Sequence, residues 1–227
     1  MPETATPALI FDLDGTLVDT APDLLAATNA VLAAERRPGV DPESLRHMVG
    51  HGARALIRQA FAATGLPVPD DDLPRLVDSF IAQYRRNIAG ASRPFPGVPE
   101  TLAALKAEGA RLGVLTNKPQ ELTDLLLPVV GLDRFFGAVL GAGRLSFNKP
   151  DARTFEAVVK ELGGRGAGAV MIGDSATDVA TARNAGVEVI LVGYGYTPEP
   201  ARTLGADAVV EDFREIPVLI RRLLAYP

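Results

Sequence analysis

The sequence predicts an α/β fold, with a doubly wound, Rossmann-like parallel sheet and an all-helical domain inserted after its first strand. Short apolar runs alternate with helix-like segments along most of the 227 residues. These runs are continuous rather than alternating in polarity, which is typical of strands buried on both faces by helices. Residues 18–92 break this rhythm, because they contain helical patterns and no convincing strand.

Five apolar runs are the predicted strands of the sheet. In chain order they are residues 8–11, 112–115, 169–172, 187–192 and 208–210. Each run ends in small or polar residues, and each is expected to lead into a helix. The carboxyl ends of parallel strands meet at one edge of the sheet, where open α/β sheets bind their ligands.

Residues 18–92 are predicted to form the inserted helical domain, and residues 1–17 and 93–227 the α/β core. The Pro- and Gly-containing string at 93–97 indicates the return of the chain to the core. Two linkers lying side by side would make a hinge between the two domains.

Two cap-plus-proline signals indicate where helices of the inserted domain begin. Thr20 precedes Pro22, and Asp41 precedes Pro42. A capping side chain followed by proline in the first turn is a typical helix start. Apolar residues at helical spacing then predict helices over 53–63 and 73–88.

Composition excludes several classes of function. The net charge of −5 disfavours nucleic acid and anionic membranes as partners. The chain has no cysteine, so it has no disulfide, zinc thiolate site or cysteine nucleophile. No apolar run approaches the ~18 residues that a membrane-spanning helix needs. The first residues lack a basic stretch followed by an apolar one, and we therefore expect a cytoplasmic protein.

The strongest chemical signal is a pair of carboxylates, Asp12 and Asp14, directly after the first predicted strand. Because strand side chains alternate, acids two residues apart project to the same side. Two ionised carboxylates about 4 Å apart repel by roughly 4 kcal/mol at an effective dielectric constant near 20. A metal ion, a shared proton or both must offset this repulsion. Turn capping would account for one of these acids but not for both.

Polar groups also stand at the ends of other predicted strands. Thr116 and Asn117 place a hydroxyl and an amide before a predicted helix, whose N-terminus favours anions. Lys149 follows a Gly-containing loop and is one of only four lysines in the chain. Asp174 ends the third predicted strand, and Asp178 lies one helical turn further on.

In this order, the four stretches resemble the phosphatases of the haloacid dehalogenase superfamily. The string from Asp12 to Thr16 matches the pattern Asp-x-Asp-Gly-Thr, Thr116 and Lys149 follow, and residues 173–178 match Gly-Asp-x-x-x-Asp. The inserted helical domain is similar to the cap of that superfamily. The resemblance covers nearly the whole chain and implies the same α/β core.

The resemblance implies hydrolysis of phosphate esters through an aspartyl phosphate. Asp12 would attack phosphorus, and Asp14 would protonate the leaving oxygen and then deprotonate the hydrolytic water. The side chains of Asp12 and Asp174 and the main-chain carbonyl of Asp14 would hold Mg²⁺, with Asp178 in or beside its coordination shell.

The remaining groups of the resemblance would bind the phosphate. Thr116 and the amides of Asn117 and Leu13 would hold its oxygens, and Lys149 would neutralise it and orient Asp12. Four carboxylates and a phosphoryl dianion gather much negative charge in one cleft, which a divalent cation and a lysine offset.

Other members of the superfamily remain as alternatives. Dehalogenases lack the second acid, here Asp14, and phosphonatases need a cap lysine, whereas residues 18–92 contain no lysine. A broad phosphatase of sugar phosphates or nucleotides, a pyrophosphatase and a phosphomutase stay open. A non-catalytic binding protein on this fold would be expected to have lost part of the catalytic set.

Three local strings resemble the phosphoglycolate phosphatases of this superfamily, at 49–57, 94–98 and 193–196. A small phosphorylated metabolite, above all 2-phosphoglycolate, is therefore the expected substrate of a monomer or homodimer. The first string has a physical rationale, because glycines let the backbone approach a small substrate and a helix start favours its carboxylate. Its candidate substrate-binding residues are Gly50, His51, Gly52 and Arg54.

Overall fold

The computed structural model describes residues 7–164 and 168–224. Its strands are β1 (Ala8–Phe11), β2 (Val18–Asp19), β3 (Arg93–Pro94), β4 (Arg111–Pro119), β5 (Ala138–Ala142), β6 (Ala169–Gly173), β7 (Glu188–Val192) and β8 (Ala208–Val210). Its α-helices are α1 (Ala21–Ala34), α2 (Pro42–Arg46), α3 (Ala53–Ala63), α4 (Leu73–Arg86), α5 (Val98–Ala107), α6 (Gln120–Val129), α7 (Ala152–Glu161), α8 (Ala176–Ala185) and α9 (Ile216–Leu223). Residues 1–4, whose composition underlies the expectation of a cytoplasmic protein, lie outside the described residues.

Six strands form one parallel sheet in the order β5-β4-β1-β6-β7-β8. Counted along the chain, this order is 3-2-1-4-5-6, the Rossmann-like arrangement, and the predicted fold class is confirmed. The strand order reverses at β1, which lies between β4 and β6. Ligand sites of such sheets lie at the carboxyl ends of the strands beside this reversal.

The alternation of side chains along β1 explains why its sequence is continuously apolar. Leu9 and Phe11 pack into a hydrophobic cluster with residues of α5 and α9. Ala8 and Ile10 pack on the opposite face with residues of α7 and α8. Helices therefore cover both faces of the sheet, and the polar residues lie beyond the buried strand, at its carboxyl end.

Two expectations about the strands differ from the structure. Strand β5 pairs with β4 at the sheet edge but was not predicted, because the glycines around its short apolar run resemble a loop. The expectation that each strand leads into a helix is wrong for β7, which is followed by a loop and a 3-10 turn at Ala201–Thr203.

Helices α1 to α4 lie between β2 and β3 and pack around a second hydrophobic cluster, to which Leu122 and Tyr196 of the core also belong. The expectation of no strand in 18–92 is wrong at its start, because Val18 and Asp19 pair antiparallel with Pro94 and Arg93. The two connecting segments are thus hydrogen-bonded to each other. Buried Asp23 of α1 braces them further, accepting from the Ser92 amide at 2.7 Å and the Ser92 hydroxyl at 2.6 Å.

The two predicted caps differ in outcome. Asp41 caps α2 as predicted, accepting from the Ser44 amide at 2.9 Å. Thr20 precedes α1 but its side chain does not cap it, because the hydroxyl donates instead to Asp14 Oδ1 at 2.8 Å. The Thr20 hydroxyl therefore contacts a candidate site residue and accepts from no amide of the helix start. Within the described ranges, no helix combines the length and the apolar character that crossing a membrane requires.

Candidate active site

Three carboxylates meet where β1 and β6 end, and we call Asp12, Asp174 and Asp178 the acid cluster. Asp12 follows β1, Asp174 follows β6, and Asp178 lies in the first turn of α8. Each offers one oxygen, and these oxygens lie within 4.8 Å of one another. All three residues are buried. The cluster joins acids far apart in the sequence at the predicted edge of the sheet.

Lys149 is the cation of the acid cluster. Its Nζ lies 3.0 Å from Asp12 Oδ1 and 2.7 Å from Asp178 Oδ1. Burial alone would lower the pKa of Lys149, but Asp12 and Asp178 raise it above its usual value. Lys149 is therefore an ammonium group held in place by its two carboxylate partners.

One ammonium does not balance three buried carboxylates. Burial raises the pKa of Asp12 to about 6, with Lys149 opposing this shift and Asp178 adding to it. Burial, followed by Asp178 and Asp12, raises the pKa of Asp174 well above its usual value. Asp12 Oδ1 is buried and has no hydrogen-bond partner in the described residues besides its ion pair with Lys149. A hard divalent cation, which prefers oxygen ligands, fits this donor set.

The surrounding main chain and side chains orient the acid cluster. Asp178 Oδ2 accepts from the Ser175 hydroxyl at 2.7 Å and from two main-chain amides, while its Oδ1 accepts from Lys149. Asp174 accepts from the Thr16 hydroxyl at 3.0 Å and the Tyr196 amide at 2.7 Å. Asp178 therefore has both oxygens engaged by protein donors.

Gly15 is required by a close approach. Its φ of +83° lies in the left-handed region, and a Cβ there would meet Asp174 Oδ2 at 2.5 Å. Any larger residue at position 15 would collide with the Asp174 carboxylate and shift either that side chain or the main chain that follows Asp14.

Asp14 belongs to a second group of contacts, which spans the core and the helical segment. Lys118 Nζ donates to its Oδ1 at 3.0 Å and Oδ2 at 3.2 Å, and Thr20 donates to Oδ1. Lys118 also donates to the Tyr84 hydroxyl of α4 at 2.9 Å. Burial alone would lower the pKa of Lys118, but Asp14 and Tyr84 raise it.

Asp12 and Asp14 open into one cleft, which we call the cleft cavity and whose empty space, open mouth included, is about 450 Å³. Its polar lining comes from both the core and the helical segment, and the remaining lining is largely apolar. The lining residues are Asp12, Asp14, Leu24, Val49, Gly50, Gly52, Ala53, Leu56, Phe80, Tyr84, Thr116, Asn117, Lys118, Pro119 and Leu122.

Thr116 and Asn117 lie in an irregular stretch at the end of β4, where its pairing with β5 shifts register. Both residues are buried and line the cleft cavity. Asn117 Nδ2 donates to the carbonyl of Gly50 at 3.1 Å and to that of Lys149 at 3.3 Å. Asn117 thus joins the core to the glycine turn of the helical segment.

The structure separates the candidate residues of that turn, and only the two glycines line the cleft cavity. Gly50 and Gly52 line the cleft cavity, with φ of +101° and +84°, and a Cβ on Gly52 would lie 3.2 Å from the Asn117 carbonyl. His51 is exposed, lies 3.3 Å from the Thr177 hydroxyl and lines a second cavity beside Asp174. Arg54 is exposed and lines neither of these two cavities.

Leu13 has its side chain buried in the core, so only its main chain is available to a ligand. Lys118 and Tyr84 were not among the predicted site residues, although both line the cleft cavity. One signal for Lys118 was present, because a scarce lysine directly follows Thr116 and Asn117 at a strand end. No pattern in α4 distinguishes Tyr84 from an ordinary core residue.

A protein-family model described as haloacid dehalogenase-like hydrolase matches residues 9–192. The chain belongs to this family. The match includes the acid cluster, Thr116 and Lys149, and it confirms the family that the sequence motifs indicate.

Individual members of the haloacid dehalogenase-like family align with nearly the whole chain. It is 51% identical to a phosphoglycolate phosphatase of Caulobacter vibrioides over 209 residues, which cover 92% of this chain and 88% of the relative. It is 36% identical to an N-acetylmuramic acid 6-phosphate phosphatase of Pseudomonas aeruginosa over 220 residues, covering 96% of each. A crystal structure described as a predicted phosphoglycolate phosphatase from Haemophilus somnus 129pt matches with a TM-score of 0.88 and 31% identity, covering 94% of this chain and 97% of that one.

Proposed function

We propose that this hydrolase cleaves phosphate monoesters through a phosphoryl group on Asp12, and that 2-phosphoglycolate is its main substrate. The observation that carries the proposal is the shared opening of Asp12 and Asp14 into one cavity, with Asp12 also belonging to the acid cluster. A nucleophile and a proton donor must face the same substrate from one side of the strand end.

Mg²⁺ is the proposed metal. Asp12, Asp174 and the main-chain carbonyl of Asp14 would hold it, and Asp178, whose Oδ1 accepts from Lys149, would lie in or beside its coordination shell. When bound, the ion supplies positive charge to the phosphoryl oxygens and lowers the repulsion between the dianion and Asp12.

In the first step, an Asp12 oxygen forms a bond to phosphorus while the bond from phosphorus to the ester oxygen breaks. Asp14 transfers a proton to the departing ester oxygen, so that the alcohol leaves neutral. Lys149 holds Asp12 through their 3.0 Å contact and keeps the attacking carboxylate ionised.

In the second step, water attacks the phosphorus of the aspartyl phosphate and its bond to Asp12 breaks. Asp14, now deprotonated, takes a proton from this water and is ready for another cycle. The Thr20 hydroxyl and Lys118 hold Asp14 in place.

Phosphate oxygens would be bound by the Thr116 hydroxyl and by the main-chain amides of Asn117 and Leu13. The burial of Thr116 and Asn117 in the cavity wall supports this assignment. Bonds to fixed donors strengthen as charge develops on the transferring group, and most of the rate enhancement would come from them.

The choice of 2-phosphoglycolate is supported by the name of the Caulobacter vibrioides relative. Gly50 and Gly52 close over the cavity without side chains, which suits a two-carbon substrate. His51 and Arg54 are proposed only as outer contributors, because both are exposed.

A phosphorylated amino sugar is the second candidate, favoured by the name of the Pseudomonas aeruginosa relative. A broad sugar-phosphate or nucleotide phosphatase, a pyrophosphatase and a phosphomutase also share this chemistry. A cytoplasmic monomer or homodimer is the proposed form, in keeping with the absence of cysteine.

Initial rates with Mg²⁺ on a panel of phosphate esters test the proposal. The panel contains 2-phosphoglycolate, ethyl phosphate, glucose 6-phosphate, N-acetylmuramic acid 6-phosphate, AMP and pyrophosphate. We expect 2-phosphoglycolate to give the highest specificity constant, kcat/KM. A sugar phosphate or nucleotide that exceeds it widely would overturn the substrate, and no turnover of any ester would overturn the phosphatase.

A further inference from the structure

The cleft cavity has one basic side chain among its described lining residues, that of Lys118. Lys149, Arg54 and His51 are not among these lining residues, and Lys149 lies between Asp12 and Asp178. A substrate that carries a second negative charge beside its phosphate therefore meets one cation inside the cavity.

The position of this ammonium group is fixed before any substrate arrives. Its Nζ is held by Asp14 at 3.0 Å and by the Tyr84 hydroxyl at 2.9 Å, and it lies 4.3 Å from the centroid of the Tyr84 ring. The Lys118 side chain is only 2% exposed. An ordered donor loses little side-chain entropy when it binds an anion, so recognition by Lys118 costs less than recognition by a free surface lysine.

The walls around Lys118 strengthen its effect. Leu24, Leu56, Phe80 and Leu122 supply apolar surface to the same cavity. An ion pair surrounded by apolar groups is stronger than one in water. The same walls penalise hydroxyl-rich groups that find no hydrogen-bond partner there.

We infer that Lys118 is the specificity-determining residue that binds the carboxylate of a small phosphorylated acid, at the junction of the core and the helical segment. This inference rests on the proposed function. It moves the carboxylate contact from the exposed Arg54 to a buried lysine next to Asp14. Tyr84 is a positioning residue, because it holds Lys118 from α4 without needing to touch the substrate.

The test compares 2-phosphoglycolate with ethyl phosphate, in which a methyl group replaces the carboxylate. The measured quantity is the ratio of the two kcat/KM values in the wild type and in Lys118→Met, Lys118→Gln and Lys118→Arg. We expect both neutral variants to lower this ratio at least about 30-fold, which is the scale of losing a buried charge partner. The main cause should be a higher KM, because the carboxylated substrate binds more weakly. Lys118→Arg keeps the charge and should retain most of the preference.

Lys160→Met is the matched control, because Lys160 is exposed in the last turn of α7. Its ratio should equal that of the wild type. Lys118→Gln keeps a hydrogen-bonding side chain and serves if Lys118→Met does not fold, as judged by thermal melting.

The outcomes separate the two proposals. If the wild type shows no preference for 2-phosphoglycolate, the proposed function fails, and this inference fails with it. If the wild-type preference persists in the folded neutral variants while both substrates slow equally, Lys118 acts only through Asp14 and the inference alone is overturned. A falling ratio with a preserved arginine variant supports it.

Discussion

Lys149 and Lys118 are both buried, and each pairs with an aspartate of the same cleft, yet their surroundings differ. Lys149 contacts Asp12 and Asp178, which both come from the ends of sheet strands or the helix that follows. Lys118 contacts Asp14 and also Tyr84, which comes from the helical segment. From this contrast we propose that residues at the strand ends carry out the chemistry, whereas the junction with the helical segment selects the substrate.

Removal of the proposed nucleophile should cause the greatest loss of activity. Asp12→Asn should fold and lose at least about 10⁴-fold in kcat, on the scale seen when a nucleophile is removed. Initial rates and thermal melting measure both properties. Asp124→Asn, an exposed acid on α6, is the matched control and should keep full activity. Wild-type turnover by the Asp12 variant would remove the proposed mechanism.

Removal of the divalent cation should come next in size. A chelated sample is expected to lose at least about 10³-fold in rate and to recover with Mg²⁺, while larger Ca²⁺ should inhibit. Mg²⁺ at about 100 times its Kd should also stabilise the fold by about 2.7 kcal/mol, seen as a higher Tm. Asp174→Asn should weaken both responses. Full activity in excess chelator contradicts the metal site.

Lys149→Met tests whether the two lysines have different roles. It leaves the acid cluster without its protein cation, and we expect kcat/KM to fall by about 10²–10³-fold. The loss should be the same for 2-phosphoglycolate and ethyl phosphate, unlike that of Lys118→Met. An unequal loss would mean that Lys149 also reads the carboxylate, and the division of roles drawn above would be wrong.

The smallest expected effect concerns Arg54. Its charge is exposed and outside the cleft cavity, so salt screens its action on the substrate. When 2-phosphoglycolate is the substrate, Arg54→Ala should raise the Michaelis constant only about two- to threefold, as a screened charge would. With ethyl phosphate the same variant should behave as the wild type does. A rise of more than about tenfold, the scale of a direct charge contact, would move the carboxylate contact back to the glycine turn.

Much of the proposed catalytic machinery could be predicted from the sequence, because several of its residues follow the apolar run of a strand. Asp12, Thr116 and Asp174 are recognisable from the apolar run that precedes them. The strand order 3-2-1-4-5-6 then brings those ends together. This geometry follows from the general rules of parallel sheets and needs no long-range information about side chains.

The contacts of Lys118, the proposed substrate-selecting residue, could not be predicted in the same way. Lys118 lies at the end of β4 and meets Asp14 beyond the neighbouring strand β1, and it meets Tyr84 where the helical segment packs on the core. Those partners are 104 and 34 residues away in sequence. Thr20 shows the same limit, since its hydroxyl donates to Asp14 and accepts no hydrogen bond from the amides of the helix start, although the local pattern predicts that it would. Short β5 was missed because its flanking glycines resemble a loop.

The central claim is that Asp12 carries the phosphoryl group between the two steps, and a trapping measurement tests it most directly. Asp14→Asn should still react with 4-nitrophenyl phosphate, whose leaving group needs no proton, but should hydrolyse the intermediate slowly. Rapid mixing and acid quenching, followed by mass spectrometry of the proteolysed protein, locate the group. The account predicts a burst of one nitrophenolate per enzyme and a phosphoryl group on Asp12. A burst with the group on another residue, or steady turnover with no phosphorylated peptide, would contradict it.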